Sequence, residues 1–134
     1  MIPFNVWAVI VSALISYGAS SVWFLVLFRE AYTKALGRTA EQLAAGPSIA
    51  VASVIQIIGN VVMAATLGWL MVKLNMQSVT GGLILAVVVW VGFVAAVLGP
   101  MYAFQAFSIR FFCITAGSVL VSLLIMGVTL GVWK

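Results

Sequence analysis

Long uncharged runs separated by short polar segments form the pattern of this chain. Four runs are long enough to cross a membrane, and they cover residues 4–28, 47–71, 81–102 and 111–133. A hydrocarbon core about 30 Å thick needs roughly 20 helical residues, since each residue adds about 1.5 Å. Backbone groups in lipid must be paired within their own segment, so each run predicts a transmembrane helix.

The one sizeable polar stretch, residues 29–46, carries helix signals of its own. Gly37 is typical of the residue that ends a helix, because glycine adopts the left-handed conformation without strain. Thr39 to Gln42 has the spacing of a capping box, which starts a helix. We therefore expect a short helix near residues 40–45, lying at the membrane interface.

Three further expectations concern helix ends. The first helix is expected to continue past the membrane to about Leu36, where the glycine signal follows. Pro47 suits the first position of the second helix. Gly99-Pro100 is expected to break the third helix near its inner end as a plain kink, because Pro100 lacks the N–H that would bond Ala96. Binding of a ligand by the freed carbonyl is the alternative.

Composition narrows the class of protein. The 134 residues are 66% apolar and 6% charged, whereas an average soluble domain is about 25% charged. So few polar side chains cannot cover the surface of a soluble globule, which excludes a soluble enzyme and a disordered segment. We predict one all-α domain over residues 1–134, an integral membrane bundle of four transmembrane helices with one short interfacial helix in the first cytoplasmic loop.

The basic residues predict the orientation of the chain. Short cytoplasmic loops carry an excess of Lys and Arg. Loops one and three hold Arg29, Lys34, Arg38 and Arg110, whereas loop two and the C-terminus hold Lys73 and Lys134. We therefore expect a multi-pass protein of a bacterial inner membrane with both termini outside, and the small margin leaves dual insertion open. The basic residues form no stripe that could track phosphates, so no nucleic-acid partner is expected.

Small residues spaced four apart predict where helices touch, because they let backbones approach closely in lipid. The stripes are Ala8, Ser12, Ser16 and Ser20 in the first span, Asn60, Ala64 and Gly68 in the second, and Gly127 and Gly131 in the fourth. The same rule serves contacts within one chain and contacts between chains. A serine-lined ion path is the functional alternative.

Gln56 and Asn60 are the candidate ligand-binding residues. Their spacing places two amides on one face of the second helix, at about one-third of its depth. Unpaired amides in hydrocarbon cost several kcal/mol, so these two must face the bundle, a partner protomer or water. Interhelical hydrogen bonding and a polar ligand or conduction site both explain the pair.

Arg110 is the candidate lipid-headgroup residue. It follows the third span in a short segment, where an arginine ordinarily extends its head to lipid phosphates and fixes topology. Capture of another anionic ligand is the alternative. Membrane lipids are therefore expected partners of the chain.

Residues that carry chemistry are scarce. The chain has no His, its two carboxylates are Glu30 and Glu41, and Cys113 is its single cysteine. Metal and haem sites lack ligands, and a Ser or Cys nucleophile lacks a base. We therefore expect no catalytic residue, no metal and no cofactor, and the chain by itself is not expected to be an enzyme.

Short apolar motifs follow one another in a characteristic order along nearly the whole chain. They are Asn5-Val6-Trp7-Ala8, Gly18, Trp23-Phe24, Leu27-Phe28, Tyr32 before Gly37, Trp90-Val91-Gly92-Phe93, Gly117, Gly127 and Gly131-Val132-Trp133. Their order and spacing resemble those of the family called domain of unknown function 1761. The resemblance implies a small four-helix membrane protein and implies no activity.

Two functions from different classes fit these observations. The first is a non-enzymatic protein that binds or moves a small uncharged or lipid-like molecule, at a bundle or protomer interface containing Gln56 and Asn60. The second is a structural or accessory subunit that associates with another membrane protein through the small-residue faces. A membrane-embedded enzyme ranks third. So small a bundle encloses little space, so a homo-oligomer is expected, with a dimer favoured.

Overall fold

The computed structural model describes residues 4–133, and helices are the regular secondary structure in that range. In chain order they are α1 (Val6–Leu27), α2 (Arg29–Leu36), α3 (Ala40–Ala44), α4 (Ile49–Lys73), α5 (Val79–Phe104) and α6 (Ile109–Val132). Four of them, α1, α4, α5 and α6, are long and apolar enough to cross a membrane. They begin and end within two residues of the four predicted spans. The all-helical class and the four long helices are confirmed. Lys134, one of the two basic residues assigned to the outer side, lies outside the described residues.

Each long helix begins at a polar side chain that accepts a hydrogen bond from its first turn. These caps are Asn5, Ser48, Ser78 and Ser108. They satisfy N–H groups that would otherwise lack partners at the helix start. The Ser48 cap, whose hydroxyl lies 3.3 Å from the Val51 nitrogen, makes α4 begin at Ile49. The prediction that Pro47 occupies the first helical position is therefore wrong.

The polar segment between α1 and α4 folds largely as its signals indicate. Gly37 ends α2 in the left-handed conformation, with φ 65° and ψ 26°. The Thr39 N–H donates to Gln42 Oε1 at 2.9 Å, and the Gln42 N–H donates to Thr39 Oγ1 at 3.1 Å. These reciprocal bonds are a capping box and confirm the start of the short helix α3.

The expectation of one helix running to Leu36 is wrong, because the chain leaves the helix at Phe28. That residue has φ −122° and ψ 24°, which separates α1 from α2. The Phe28 ring packs on Trp23 with 4.7 Å between the centroids. The break thus places an aromatic side chain against the end of α1.

The bundle is organised around α6, which packs most closely against α5 and α1. The remaining long helix, α4, packs chiefly against α1 and touches α5 and α6 less. The shared core includes Ala64, Leu67, Leu85, Leu123 and Met126. Because α4 meets its neighbours mainly on one side, the structure leaves space between α4 and α6.

The predicted small-residue stripes pack within the chain. Ala8, Ser12 and Ser16 are completely buried on α1, and Asn60 and Ala64 are buried on α4. The stripe of Gly127 and Gly131 on α6 packs against the start of α5. A Cβ at Gly127 would lie 2.5 Å from the Gly82 carbonyl oxygen, which no real Cβ tolerates. The backbones of α5 and α6 therefore touch directly.

The third long helix is irregular before the place where a kink is predicted. Pro100 lies inside the helical segment Ala96–Phe104, so the chain stays helical there, and the kink expected at Gly99-Pro100 stays a prediction. Proline removes one backbone hydrogen bond, and the helix continues on both sides of that position. The irregular stretch precedes it at Trp90–Ala95, which is π-helical, as is Trp23–Leu27 at the end of α1.

Candidate functional site

A groove of about 280 Å³ lies between α4 and α6, with α1 at its base. Six of its lining side chains are polar and uncharged: Ser20, Gln56, Asn60, Thr115, Ser118 and Ser122. We call this space the polar groove. It is open on the outer surface of the bundle, because Gln56 and Gly59 in its wall are exposed.

Asn60 supports the bundle from within the polar groove. Its side chain is 1% exposed. The Asn60 Nδ2 group donates to the carbonyl oxygen of Ala13 at 3.2 Å, and Asn60 Oδ1 accepts from Gln56 Nε2 at 2.9 Å. Asn60 thereby joins α4 to the backbone of α1, as interhelical hydrogen bonding requires.

Gln56, unlike the buried Asn60, is exposed. Its bond to Asn60 uses one hydrogen of the Nε2 group. Among the residues that the structure describes, Gln56 Oε1 accepts no hydrogen bond. The structure thus brings the two predicted residues together and separates their roles. Asn60 is engaged by the protein, whereas Gln56 presents an acceptor and a second N–H to the polar groove.

The serines of the polar groove form long hydrogen bonds. Ser118 Oγ donates to Ser20 Oγ at 3.4 Å, and Ser20 Oγ lies 3.4 Å from Ser122 Oγ. Bonds between hydroxyls are normally about 2.7–2.8 Å long, so these are weak. A ligand with better geometry can therefore compete for the same hydroxyl groups.

Thr115 lies between the polar groove and a second cavity. Its Oγ1 atom is buried and has no hydrogen-bond partner among residues 4–133. The second cavity, about 310 Å³, has a largely aromatic wall that includes Tyr102, Phe107, Phe111 and Phe112. Thr115 lines both spaces, so its hydroxyl is a polar group next to each of them.

Charge is missing from the polar groove. None of its lining side chains is an acid or a base. In residues 4–133, no group of three or more His, Cys, Asp or Glu side chains could hold a metal ion. The polar groove can therefore donate and accept hydrogen bonds, and the side chains that line it supply no ionic attraction.

Arg110 lies outside the polar groove. It is exposed in the first turn of α6, just after the Ser108 cap. The neighbouring Phe111 ring stacks on Phe107 at 4.2 Å and on Tyr32 at 6.0 Å. Burial raises the pKa of the Tyr32 hydroxyl. The structure thus places Arg110 beside an aromatic cluster and does not bring it to Gln56 and Asn60.

Two tryptophans hold the wall of the polar groove in place. Trp23 Nε1 donates to the Ile114 carbonyl oxygen at 2.9 Å, and Trp90 Nε1 donates to the Ala116 carbonyl oxygen at 2.8 Å. Each tryptophan begins one of the two π-helical segments. A tryptophan in mid-span needs a partner for its N–H, and that signal points to such a bond without naming the acceptor.

Ser118 and Ser122 are polar groove residues that the sequence interpretation missed. They lie four residues apart on α6, the same spacing as the serine stripe of α1. That repeat was the available signal. The two stripes face each other in the structure, where Ser16 Oγ donates to the Ser122 carbonyl oxygen at 3.4 Å.

Comparison with known proteins identifies the family of this chain. Residues 7–131 match the family model described as "Protein of unknown function (DUF1761)". The chain belongs to this family, and the resemblance inferred from its motifs is confirmed. Neither a curated protein nor a solved structure matches the chain.

Proposed function

We propose that this member of the DUF1761 family is a non-enzymatic membrane protein that takes a small, uncharged, hydrogen-bonding molecule from the bilayer into the polar groove. The observation that carries the proposal is the Gln56 side chain. It lies about one-third of the way along an apolar helix, is exposed, and keeps an unused acceptor oxygen. A ligand that bonds this amide would remove an unfavourable polar surface from lipid.

The free-energy cost of leaving the Gln56 amide unpaired in lipid supports the proposal of a bound ligand. An amide group without a partner in an apolar medium costs several kcal/mol. Asn60 relieves half of the problem by accepting one Gln56 hydrogen at 2.9 Å. The remaining oxygen and hydrogen of Gln56 are a matched acceptor and donor pair, which suits an alcohol, an amide or a carbonyl compound.

The neutrality of the site limits the ligand. A charged group that enters a span without a counter-ion loses hydration and gains no compensating pair. The polar groove offers hydroxyls and amides and no opposite charge. We therefore infer that ions and charged substrates are excluded.

The location and the partners of the protein belong to the same proposal. The uneven distribution of Lys and Arg favours a bacterial inner membrane with both termini outside. Membrane lipids and a second copy of the chain, forming a dimer, stay the proposed partners, with Arg110 at a lipid headgroup. The accessory-subunit alternative depended on small-residue faces, and Ala8, Ser12 and Ala64 are buried within the chain.

The test is native mass spectrometry of the full chain extracted gently with its lipids. We expect the wild type to retain a reproducible mass that is not a bulk phospholipid. The Gln56→Leu variant should lose that mass, because leucine has similar volume and no hydrogen-bonding atom. Gln105→Leu makes the same chemical change in the wall of the aromatic cavity, outside the polar groove, and should keep it.

Two results would contradict the proposal. A wild type that carries bulk phospholipid alone would show that no specific ligand is held. A bound mass that survives in Gln56→Leu would show that the ligand occupies another place. Asn60 is left unchanged in this test, because its bond to Ala13 supports the fold.

A further inference from the structure

The polar groove does not end at Asn60, because a second, apolar groove adjoins it. The second space has a volume of about 170 Å³ and lies between α4 and the α5–α6 pair. Gly59 and Met63 line both spaces. We call the second space the apolar groove. The two together form one path along α4.

We propose that the ligand is an uncharged amphiphile, with a hydrogen-bonding head at Gln56 and an apolar chain that follows α4 towards Leu70. This inference rests on the proposed function of the polar groove and adds the class and the orientation of the molecule. Residues 56 and 70 are separated by about 21 Å along the helix, at about 1.5 Å per residue. The path therefore has room for a head and an extended chain.

The chemistry of the two ends differs in the way an amphiphile requires. The apolar groove is lined by side chains such as Leu67, Leu70, Val89 and Leu123. Thr66 is its one hydroxyl, and Thr66 Oγ1 donates to the Val62 carbonyl oxygen at 2.8 Å. Its hydrogen is therefore used within α4, and the free hydrogen-bonding groups are concentrated at the Gln56 end.

The junction of the two grooves is open. A Cβ added at Gly59 would meet nothing within 4 Å. A chain can therefore pass this position without displacing the protein. A larger side chain at residue 59 would instead fill the path between the head end and the chain end.

The position reached by the apolar chain of the ligand, rather than the affinity that this chain adds, is the property that distinguishes an amphiphile. Lipid tails are as apolar as the groove, so moving a chain between them gains little free energy. Binding strength should depend on the head, whereas the place reached by the chain end should depend on the path. The experiment must therefore map positions.

Two photoreactive long-chain primary alcohols provide that map, in phosphatidylcholine vesicles that contain the full chain. One carries a diazirine close to the hydroxyl, and the other carries it at the chain end. We expect the first to label the region of Ile55 and the second to label the region of Leu70 and Val89. An excess of the same alcohol without a diazirine should suppress both.

Substitution of Gly59 provides the matched test of the path. Gly59→Leu should abolish labelling near Leu70 by the chain-end probe, because the larger side chain fills the junction of the two grooves. Gly18→Leu is the control, because Gly18 is exposed on α1 and its Cβ would also meet nothing within 4 Å. It should leave both patterns unchanged.

The outcomes separate this inference from the proposed function. Suppressible labelling near Ile55 by both probes, lost in Gln56→Leu, would overturn the amphiphile orientation and uphold the polar groove as a site. Chain-end labelling that is spread over outer residues such as Phe93, and is unaffected by Gly59→Leu, would also overturn it. Labelling that excess alcohol does not suppress, and that Gln56→Leu does not change, would overturn both proposals.

Discussion

The two sides of α6 are packed in opposite ways. On the α5 side, Gly82 and Gly127 bring two backbones into direct contact, and no side chain separates them. On the α4 side, the helix packs chiefly on α1, and a groove of about 280 Å³ lies between α4 and α6. In both places the helices are apolar and their sequences have similar composition. Glycine on both helices at their crossing lets α5 and α6 close onto each other.

The hydrogen bonds that other helices make with α6 also differ in length. The tryptophan bonds that fix α1 and α5 to α6 are 2.9 and 2.8 Å long. The hydroxyl bonds that line the polar groove are 3.4 Å long. Short tryptophan bonds to backbone carbonyls join α1 and α5 to α6, whereas the serine hydroxyls of the polar groove are only weakly engaged. The proposed ligand site lies among these weakly bonded hydroxyl groups.

The largest expected effect comes from closing the space between α5 and α6. Gly82→Leu should lower the free energy of unfolding by about 3 kcal/mol or prevent folding, because its Cβ would overlap the Gly127 backbone. Unfolding in mixed micelles with increasing dodecyl sulfate, followed by far-UV circular dichroism, measures the change. Gly92→Leu on the same helix is the control, since a Cβ there meets nothing within 4 Å. Equal stability of the two variants would refute the close contact.

The next effect separates the two amides on the α4 side. Asn60→Leu should lower the free energy of unfolding by about 1–2 kcal/mol, because it removes the bond to Ala13 in a buried position. Gln56→Leu should change it by less than about 0.5 kcal/mol, since Gln56 is exposed. The same unfolding titration measures both. Similar losses in the two variants would show that the amides act as one structural unit.

A smaller effect is expected at the tryptophan bonds of the closed side. Trp90→Phe should lower the free energy of unfolding by about 1 kcal/mol, because the phenyl ring cannot donate to the Ala116 carbonyl oxygen. Trp69→Phe is the matched control, since Trp69 is 46% exposed. The unfolding titration is followed by circular dichroism, because replacing a tryptophan changes the fluorescence of the protein itself. If Trp90→Phe were as stable as Trp69→Phe, the bond would contribute nothing.

The smallest effect concerns the link between α1 and α4. Tyr17→Phe removes the hydrogen bond to Ser53 Oγ, which is 2.8 Å long and only partly buried. The expected loss is about 0.5 kcal/mol, because a half-exposed hydroxyl regains part of its hydrogen bonding elsewhere. Precise unfolding titrations of Tyr17→Phe and Ser53→Ala, and of the double variant, would measure the pair. A coupling energy near zero would mean that the bond is not formed.

Local signals in the sequence account for most of the helices. Gly37 and the Thr39–Gln42 capping box act through their immediate neighbours, and both predictions are confirmed. The start predicted for the second long helix, at Pro47, was two residues too early because Ser48 caps that helix. The break at Phe28, where the Phe28 ring packs on Trp23, carries no glycine or proline signal in the sequence.

The candidate site was only half visible in the sequence. The spacing of Gln56 and Asn60 predicts a shared face, and the structure confirms that they touch at 2.9 Å. The spacing alone does not reveal that Asn60 reaches the α1 backbone while Gln56 stays exposed. Ser118 and Ser122 join them from α6, at a distance in sequence that periodicity cannot connect.

The sequence alone determined the number, the limits and the apolar character of the long helices, because these follow from hydropathy and from caps that act within a few residues. Tertiary structure decided which stripes met, and it did so through side-chain size. Glycines closed the contact between α5 and α6, whereas α4 packed chiefly on α1 and left grooves beside α6. It also chose the acceptors of Trp23 and Trp90, because a backbone carbonyl becomes a partner only when another helix brings it within reach.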